Sequence, residues 1–372
     1  MSTPTPLLMI PGPVELSPAV LAAAAGAPPG HTTPRLIEAF ATCIERMRQV
    51  WRADAASQPF IVAGSGTLAM EVAAANLVEP GERVLVVDTG YFSERMTEIL
   101  RRAGAEVVEV GAPVGEVPAV EEVREALGRG GPFKALFATH VDTSTGVRVD
   151  PEPFCRLARE AGVLSVFDGV CATAGERFEM AAWGADLYFT GSQKAIGVPP
   201  GLALMVAGER ALATRAARRA APPPLFLDWE SWLPIHKAYE ERRPSYFATP
   251  ATSLVMALEA SLGEILADGV EARVQAHTRA AAFVRAALGE LGMRPVPRSE
   301  AVTADTLSAL FFPEGVDASL LPKIAARGVI VAGGLHPAVR ATSFRIGHMG
   351  YTVTRPDYLE RTVAAVRGAL RE

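Results

Sequence analysis

The chain has 372 residues, of which 49% are hydrophobic and 21% are charged. This composition is typical of a globular protein, and the length is enough for a large core divided between two domains. The formal net charge of −5 gives no support for a nucleic-acid-binding surface, and no apolar run approaches the length of a membrane span.

From about residue 59, short apolar segments alternate with helical patterns. The predicted strands are PFIVAG, RVLVVDTG, EVVEVG, ALFATH, LSVFDG and LYFTGS, with LALMVAG as a further candidate; helices between them include TLAMEVAAANLV, SERMTEILRRAG and PEPFCRLAREAG. Continuous apolar strands that alternate with helices predict an α/β fold, in which a mostly parallel sheet is sandwiched by helices.

The Pro-rich segment AAPPPLFLDWESWLP, residues 220–234, interrupts this alternation, and we interpret it as a loop or a lid over a site. After it, the sequence predicts a long helix, EARVQAHTRAAAFVRAALGELG, and a smaller α/β unit whose last helix is capped by Thr354. The predicted organisation is an N-terminal extension over residues 1–20, a large domain over 21–265 and a small C-terminal domain over 266–372.

The three cysteines, Cys43, Cys155 and Cys171, show no CxxC or metal-ligand spacing. A sparse, odd set of this kind indicates a reducing compartment without a disulfide framework. The N-terminal segment has no basic residues before its short apolar run, which Pro11, Gly12 and Pro13 interrupt, so we expect no leader peptide. We therefore predict a cytoplasmic protein without a metal site.

The turn Gly64-Ser65-Gly66-Thr67 joins a predicted strand to a predicted helix. Free backbone N–H groups and the helix dipole make such a turn an anion site, to which the hydroxyls add hydrogen-bond donors. The turn also fits GxGxxA through Gly64, Gly66 and Ala69, and Asp88 follows 24 positions after Gly64. That spacing resembles a dinucleotide fingerprint, so a nucleotide-dependent oxidoreductase is one interpretation, and a tight turn without a ligand is another.

Asp168 and Lys194 each follow a predicted buried strand. The carboxyl ends of the strands in an open parallel sheet line the ligand crevice, although an aspartate alone is often only a helix cap. Together with the anion-binding turn, the pair matches pyridoxal 5′-phosphate. The lysine would form the Schiff base, the aspartate would keep the pyridine nitrogen protonated, and the turn would hold the phosphate. The dinucleotide interpretation leaves Lys194 unexplained.

Motifs along the whole chain resemble those of a known family. They are LLMIPGPVELSPAV, GHTTPRLIEAF, QPFIVAGSGTLAMEV, VVDTGYFSERM, THVDTSTGV, FDGVCATAG, TGSQKAIGVPPG, SYFATPATS, GVIVAGGLHP and FRIGHMG. They are similar to the class V aminotransferases of the fold-type I pyridoxal-phosphate group and, among these, to the alanine–glyoxylate aminotransferases, most of all the fungal-type enzymes. The resemblance implies a large cofactor-binding domain and a smaller C-terminal domain.

The resemblance also implies roles for individual residues. Lys194 and Asp168 would be the catalytic pair; Phe92 and Val170 would contact the two faces of the cofactor ring; Ser65, Gly66, Thr67 and Gln193 would hold its phosphate; Thr143 would lie near its hydroxyl; Tyr246 and Thr249 would reach the phosphate in the neighbouring subunit of a homodimer; and Arg345 would bind the substrate carboxylate. Phe92 and Thr67 replace a tryptophan and a histidine of the mammalian members.

The reaction implied is transfer of the amino group of L-alanine to glyoxylate, giving pyruvate and glycine by a ping-pong mechanism. Serine–glyoxylate, serine–pyruvate and 2-aminoethylphosphonate–pyruvate transamination are alternatives on the same fold. The nucleotide-dependent oxidoreductase and a catalytically silent dimer are alternatives of a different class. The partners predicted are therefore small amino and keto acids and a second copy of the chain.

Overall fold

The computed structural model describes residues 5–372. Its first half contains, in chain order, β1 (Leu7–Leu8), α1 (Pro18–Ala25), α2 (Pro34–Trp51), β2 (Gln58–Ala63), α3 (Gly66–Leu77), β3 (Arg83–Asp88), α4 (Tyr91–Arg102), β4 (Glu106–Gly111), α5 (Val120–Leu127), β5 (Ala135–Thr139), β6 (Val141–Asp142), β7 (Val147–Arg148), α6 (Pro151–Glu160), β8 (Leu164–Asp168), α7 (Met180–Trp183), β9 (Leu187–Gly191) and β10 (Leu202–Ala207).

The second half contains α8 (Glu209–Ala216), α9 (Trp229–Glu240), α10 (Thr252–Asp268), α11 (Val270–Gly289), β11 (Arg294–Pro295), β12 (Leu307–Phe311), α12 (Leu320–Ala326), β13 (Val329–Ile330), β14 (Ala332–Gly333), β15 (Ser343–Gly347) and α13 (Pro356–Ala369). Short 3₁₀ helices lie at Glu300–Val302 and Gly350–Thr354. Across residues 5–372, no helix is both long enough and apolar enough to cross a membrane.

The large sheet has seven strands in the order β2-β10-β9-β8-β5-β3-β4. The strands β9, β8, β5, β3 and β4 run parallel to one another, and β10 is antiparallel to both of its neighbours. Successive residues of β8 pack into different cores, because Val166 faces one hydrophobic layer and Phe167 the other. Side chains of a strand alternate between faces, so the sheet is covered on both sides, which confirms the predicted α/β class.

The C-terminal unit is built on a second sheet, in the order β11-β12-β15-β14. The N-terminal segment is tied to this unit, because β1 pairs in parallel with β13. Residues 9–13 then run past Lys194, and α1 packs against α10. Residues 1–4 of the predicted extension lie outside the described chain. The predicted boundary after residue 265 falls in the last turn of α10, shortly before Gly269, where the chain turns into α11 with a φ of 86°.

Two predictions about the second half need correction. The Pro-rich segment is a loop, as predicted, only over residues 220–228, because its remainder begins α9, in which Trp229 stacks on Phe60 with the ring centroids 5.4 Å apart. Its two buried tryptophans, Trp229 and Trp232, instead fill the core beside β2 and α3. Thr354 does not cap the last helix, because its hydroxyl donates to the carbonyl of Tyr351 in the preceding 3₁₀ turn.

Candidate active site

A cavity of about 180 Å³ lies at the carboxyl ends of β8 and β9, against the N-terminus of α3. Its lining consists of Ser65, Gly66, Thr67, Met70, Phe92, Arg95, Thr139, Val141, Thr143, Asp168, Val170, Cys171, Gln193 and Lys194. The fold therefore brings together all the predicted site residues except Tyr246, Thr249 and Arg345. This meeting follows from the parallel strands, because their carboxyl ends lie at one edge of the sheet.

Asp168 is the last residue of β8 and lies between Thr139 of β5 and Phe189 of β9. Its Oδ1 accepts a hydrogen bond from the backbone N–H of Val170 at 2.8 Å. Burial raises the pKa of this carboxyl to about 7, and the Val170 bond and the charge of Lys194 oppose that rise. A protonated pyridine nitrogen beside Asp168 would supply the cation that a buried carboxylate requires.

Lys194 lies in the turn that follows β9, and its carbonyl accepts a hydrogen bond from the N–H of Gly197 at 2.7 Å. The amine donates to the carbonyl oxygen of Pro11, in the segment that crosses from the small unit. Gly12 has a φ of 89°, and a Cβ there would lie 2.4 Å from Lys194 Cδ. The segment can therefore pass so close only as glycine, and it holds the lysine at the cavity.

One end of the cavity is the first turn of α3, where the sequence predicts that a phosphate binds. Ser65 is the N-cap of this helix, and its hydroxyl makes no capping bond within the described chain. The first N–H groups of a helix have no intrahelical partner, so they remain available to an anion. A Cβ on Gly66 would lie 2.7 Å from Val170 Cγ2. Only glycine therefore allows the turn to approach Val170 this closely.

Gln193 and Thr67 complete this end. Gln193 Oε1 is buried and has no hydrogen-bond partner among the residues that the structure describes. The oxygen and nitrogen of such an amide exchange places when the side chain flips, so an unpartnered Gln193 at the helix terminus can turn its amide donor to an anion. Hydroxyls, helix N–H groups and a free amide form a donor set that suits a phosphate, and these residues fit pyridoxal phosphate.

Asp142 positions Phe92 at the cavity wall, a role that the sequence patterns did not predict. Its Oδ2 accepts from the backbone N–H of Phe92 at 2.9 Å, and its Oδ1 accepts from Ser144 Oγ at 2.6 Å. Burial raises the pKa of Asp142, although these hydrogen bonds favour the charged form. The carboxylate thus holds the start of α4, from which Phe92 faces the cavity. The VDTST run after a strand was the only available signal.

Arg345 lies on β15, beside the cavity rather than in its wall. Its Nε donates to the carbonyl of Gly333 at 2.9 Å, and its Nη1 lies 3.4 Å from the carbonyl of Thr143. Within residues 5–372, no carboxylate forms an ion pair with it. Burial lowers the pKa of its guanidinium, so a carboxylate arriving here would find a desolvated cation with free N–H donors.

The structure does not bring Tyr246 and Thr249 to the cavity of their own chain. Tyr246 is 62% exposed, and its ring lies 5.1 Å from that of His31. Thr249 is also exposed. Their predicted role at the phosphate of a neighbouring subunit stays a prediction.

Arg95 and Cys171 line the cavity but were not assigned to it from the sequence. Arg95 follows Phe92 by three positions on α4, a spacing that puts both side chains on one helix face. That spacing was a usable signal. Cys171 follows Val170 directly, and burial raises the pKa of its thiol, as expected of an inert buried cysteine.

The strand order overturns the dinucleotide interpretation. Gly64 follows β2 and Asp88 ends β3, but four other strands separate β2 from β3 in the sheet. At the usual spacing between strands, their ends lie about 24 Å apart, so one nucleotide cannot use both residues as the fingerprint requires. Asp88 is engaged instead at the start of α4, where its Oδ1 accepts from Ser93 Oγ at 2.8 Å.

Comparison with known proteins identifies the family of the chain. The family model described as "Aminotransferase class-V" matches residues 23–354. The chain is 34% identical over 379 residues to Alanine–glyoxylate aminotransferase 1 of Saccharomyces cerevisiae, and the alignment covers 98% of this chain and 97% of that protein. It is 33% identical to the L-aspartate–glyoxylate aminotransferase of Paracoccus denitrificans, with 92% of this chain and 86% of that protein covered.

The crystal structure of an alanine–glyoxylate aminotransferase from Nostoc sp. matches this chain with a TM-score of 0.92 and 31% identity. The match covers 100% of this chain and 97% of that one. The fold is therefore that of the fold-type I enzymes, as the sequence predicted. The chain belongs to the class V aminotransferases, and it is a transaminase that depends on pyridoxal phosphate.

Proposed function

We propose that the protein transfers the amino group of L-alanine to glyoxylate, giving pyruvate and glycine. The observation that carries the proposal is the meeting of Lys194, Asp168 and an anion-binding helix terminus in one cavity of a class V aminotransferase. Glyoxylate appears in the names of all three relatives described above, whereas the amino donor differs between them. The acceptor is therefore supported more strongly than the donor.

Lys194 Nζ is the amine proposed to hold the cofactor through its aldehyde carbon. When bound, pyridoxal phosphate supplies an electron-poor ring that stabilises negative charge on the α-carbon of the substrate. The substrate amine would replace Lys194 on the cofactor, and the freed Lys194 Nζ would then take the α-proton as a general base and return it as a general acid. Asp168, whose carboxylate forms no ion pair within residues 5–372, would hold the protonated ring nitrogen.

Arg345 is proposed to orient the substrate. Its fork offers five N–H donors, of which the carbonyls of Gly333 and Thr143 use two. The remaining donors suit a carboxylate, and a bidentate pair would fix the α-carbon within reach of Lys194. Small amino and keto acids need one such carboxylate site, which agrees with alanine and glyoxylate as substrates.

A homodimer with shared active sites is part of the same proposal. Tyr246 and Thr249 lie exposed, outside their own cavity, which is the arrangement expected if they reach the phosphate in a second copy. Leu225 is 69% exposed, and Phe226 beside it is also exposed. Burying these apolar side chains against a second subunit would be favourable.

The proposed compartment is the cytoplasm, supported by three buried cysteines that are all free thiols.

The experiment that tests the substrates is visible absorbance of the purified holoenzyme. L-alanine is added first and glyoxylate second, and the Lys194→Ala variant is measured in parallel. The expected result is that the cofactor band falls with alanine and returns with glyoxylate in the wild type only. If the band is unchanged by alanine but falls with L-serine, L-aspartate or 2-aminoethylphosphonate, the cofactor site stands and the amino donor is a different one. A chain that never binds pyridoxal phosphate would contradict the proposal.

A further inference from the structure

The proposed phosphate site consists of Ser65, Thr67, Gln193 and the first turn of α3, and we call it the phosphate cradle. It contains no charged side chain. Ser65, Thr67 and Gln193 are neutral donors, and a helix N-terminus contributes only about half an elementary charge. A phosphate monoester carries a charge of about −1.5 to −2 near neutral pH. The cradle residues therefore leave most of this charge without a counter-charge, and a cation at the same end of the cavity would fill the deficit.

Arg95 is the one arginine among the residues that line the cavity within the described chain. Its Nη1 lies 3.3 Å from Thr67 Oγ1, at the phosphate end. Its guanidinium carbon lies 4.9 Å from the ring centroid of Phe92 and 5.0 Å from that of Tyr91. The two aromatic rings thus hold the guanidinium beside the cradle, since cations are attracted to the faces of such rings.

Arg95 is also free of a carboxylate partner among residues 5–372, unlike Arg101 and Arg102 on the same helix. Glu98, one turn along α4, is paired with Arg102, and Asp88 accepts from Ser93 at the start of the helix. Asp142, on the strand that packs against the helix start, accepts hydrogen bonds from the backbone of Phe92 and Ser93. A half-buried guanidinium that lines a cavity and has no carboxylate partner among the described residues is suited to bind an anion.

We propose that Arg95 supplies the counter-charge to the cofactor phosphate, acting with Thr67 at the N-terminus of α3. Arg345 is the separate cation for the substrate carboxylate, beside Thr143. The proposal rests on pyridoxal phosphate as the cofactor of this cavity, but not on alanine or glyoxylate as substrates. The alternative is that Arg95 only packs on the rings of Tyr91 and Phe92.

The test compares two ligands that differ only in the phosphate. Pyridoxal phosphate and pyridoxal carry the same aldehyde and ring, so their bond to Lys194 and their contacts with Phe92 are common to both. Their dissociation constants are measured by absorbance on the full-length apoprotein of the wild type, Arg95→Met and Arg95→Lys. Arg102→Met is the matched control, because Arg102 lies on the same helix with its side chain 78% exposed.

The expected result is that Arg95→Met weakens binding of pyridoxal phosphate about 10- to 100-fold, the range of a charge-assisted hydrogen bond, and changes binding of pyridoxal less than about threefold. Arg95→Lys restores part of the loss because it keeps the charge, and Arg102→Met changes neither ligand. Raising the ionic strength weakens pyridoxal phosphate binding to the wild type more than to Arg95→Met.

Equal losses for both ligands would overturn the proposal, because they would assign Arg95 to ring packing. Unchanged binding of pyridoxal phosphate by Arg95→Met would overturn it as well. A wild-type chain that binds pyridoxal phosphate no better than pyridoxal would refute the phosphate cradle itself, and the two failures are therefore distinguishable. Circular dichroism and thermal unfolding of the apoproteins verify that Arg95→Met is folded.

Discussion

The edge of the large sheet and the exposed segment over residues 244–250 both carry predicted site residues, but they hold them in different ways. Asp168 and Lys194 follow buried strands, and their own chain fixes them through backbone hydrogen bonds and packing. Tyr246 and Thr249 are themselves exposed, whereas Phe247 between them packs on Trp232 with the ring centroids 4.9 Å apart. One chain thus builds the proposed chemical centre, whereas in the proposed dimer the outer part of the phosphate site would come from a second chain.

The strongest test of the sheet edge is Lys194→Ala. We expect kcat to fall about 10⁴-fold or more, because both the bond to the cofactor and the proton transfer are lost. Steady-state kinetics measure the loss, and visible absorbance reports the missing bond. Lys237→Ala is the control, since Lys237 is an exposed lysine on α9. Activity of Lys194→Ala near the wild-type level would remove this residue from the mechanism.

Asp168→Asn tests the other half of the catalytic pair. We expect kcat to fall about 10²- to 10³-fold while pyridoxal phosphate still binds, because a neutral amide cannot stabilise a protonated ring nitrogen. A variant with wild-type kcat would show that the ring needs no carboxylate here. Kinetics and absorbance titration measure the two effects separately.

The same residue makes the stability of the apoprotein depend on pH. Burial raises the pKa of Asp168 to about 7, whereas an unfolded aspartate titrates near pH 4. The folded state therefore binds the extra proton between these pH values, and the free energy of unfolding falls as the pH rises from about 4 to 7. Denaturant unfolding of the apoprotein should show a smaller fall in Asp168→Asn. Burial also raises the pKa of Glu176 to about 7, so this residue makes stability fall over the same pH range. Its contribution is the same in the wild type and in Asp168→Asn, and the difference between the two proteins therefore reports Asp168 alone.

Gly66→Ala tests how closely the cradle approaches Val170. The new Cβ would lie 2.7 Å from Val170 Cγ2, so either the helix start or the valine must move. We expect about 1–3 kcal/mol of destabilisation and weaker cofactor binding. The double variant Gly66→Ala, Val170→Ala should recover part of both losses. Failure to recover would indicate that the backbone, not Val170, sets the restriction.

The smallest effect is expected on the exposed segment. Tyr246→Phe combined with Thr249→Ala should weaken pyridoxal phosphate binding about 10-fold, through loss of two hydrogen bonds from uncharged hydroxyl groups to the phosphate. Mixing this variant with Lys194→Ala distinguishes shared sites from separate ones. A shared site recovers activity in the mixed dimer, because one of its two cavities has an intact set of residues. No recovery in a dimer whose subunits exchange would mean that each cavity is complete within one chain.

Sequence patterns predicted the strands of the large sheet well because most of them are continuous apolar segments bounded by turn residues, a local signal; β4, with two glutamates, is the exception. They predicted the positions of Asp168 and Lys194 at strand ends for the same reason. They failed for residues 229–234, which form the start of α9 instead of a loop because Trp229 and Trp232 are buried against β2 and α3. Packing partners distant in sequence decided that outcome.

By itself, the sequence determined the α/β class, the anion-binding turn at Ser65 and Gly66, and the lysine and aspartate at strand ends. These features depend on residues close together in the chain. Only the tertiary structure decided the order of the strands, which separates Gly64 from Asp88 and joins Asp168 to Lys194. It also decided that Arg95, on α4, reaches the cavity beside Thr67. Strand order and helix docking arise from contacts between distant segments, and no local pattern specifies them.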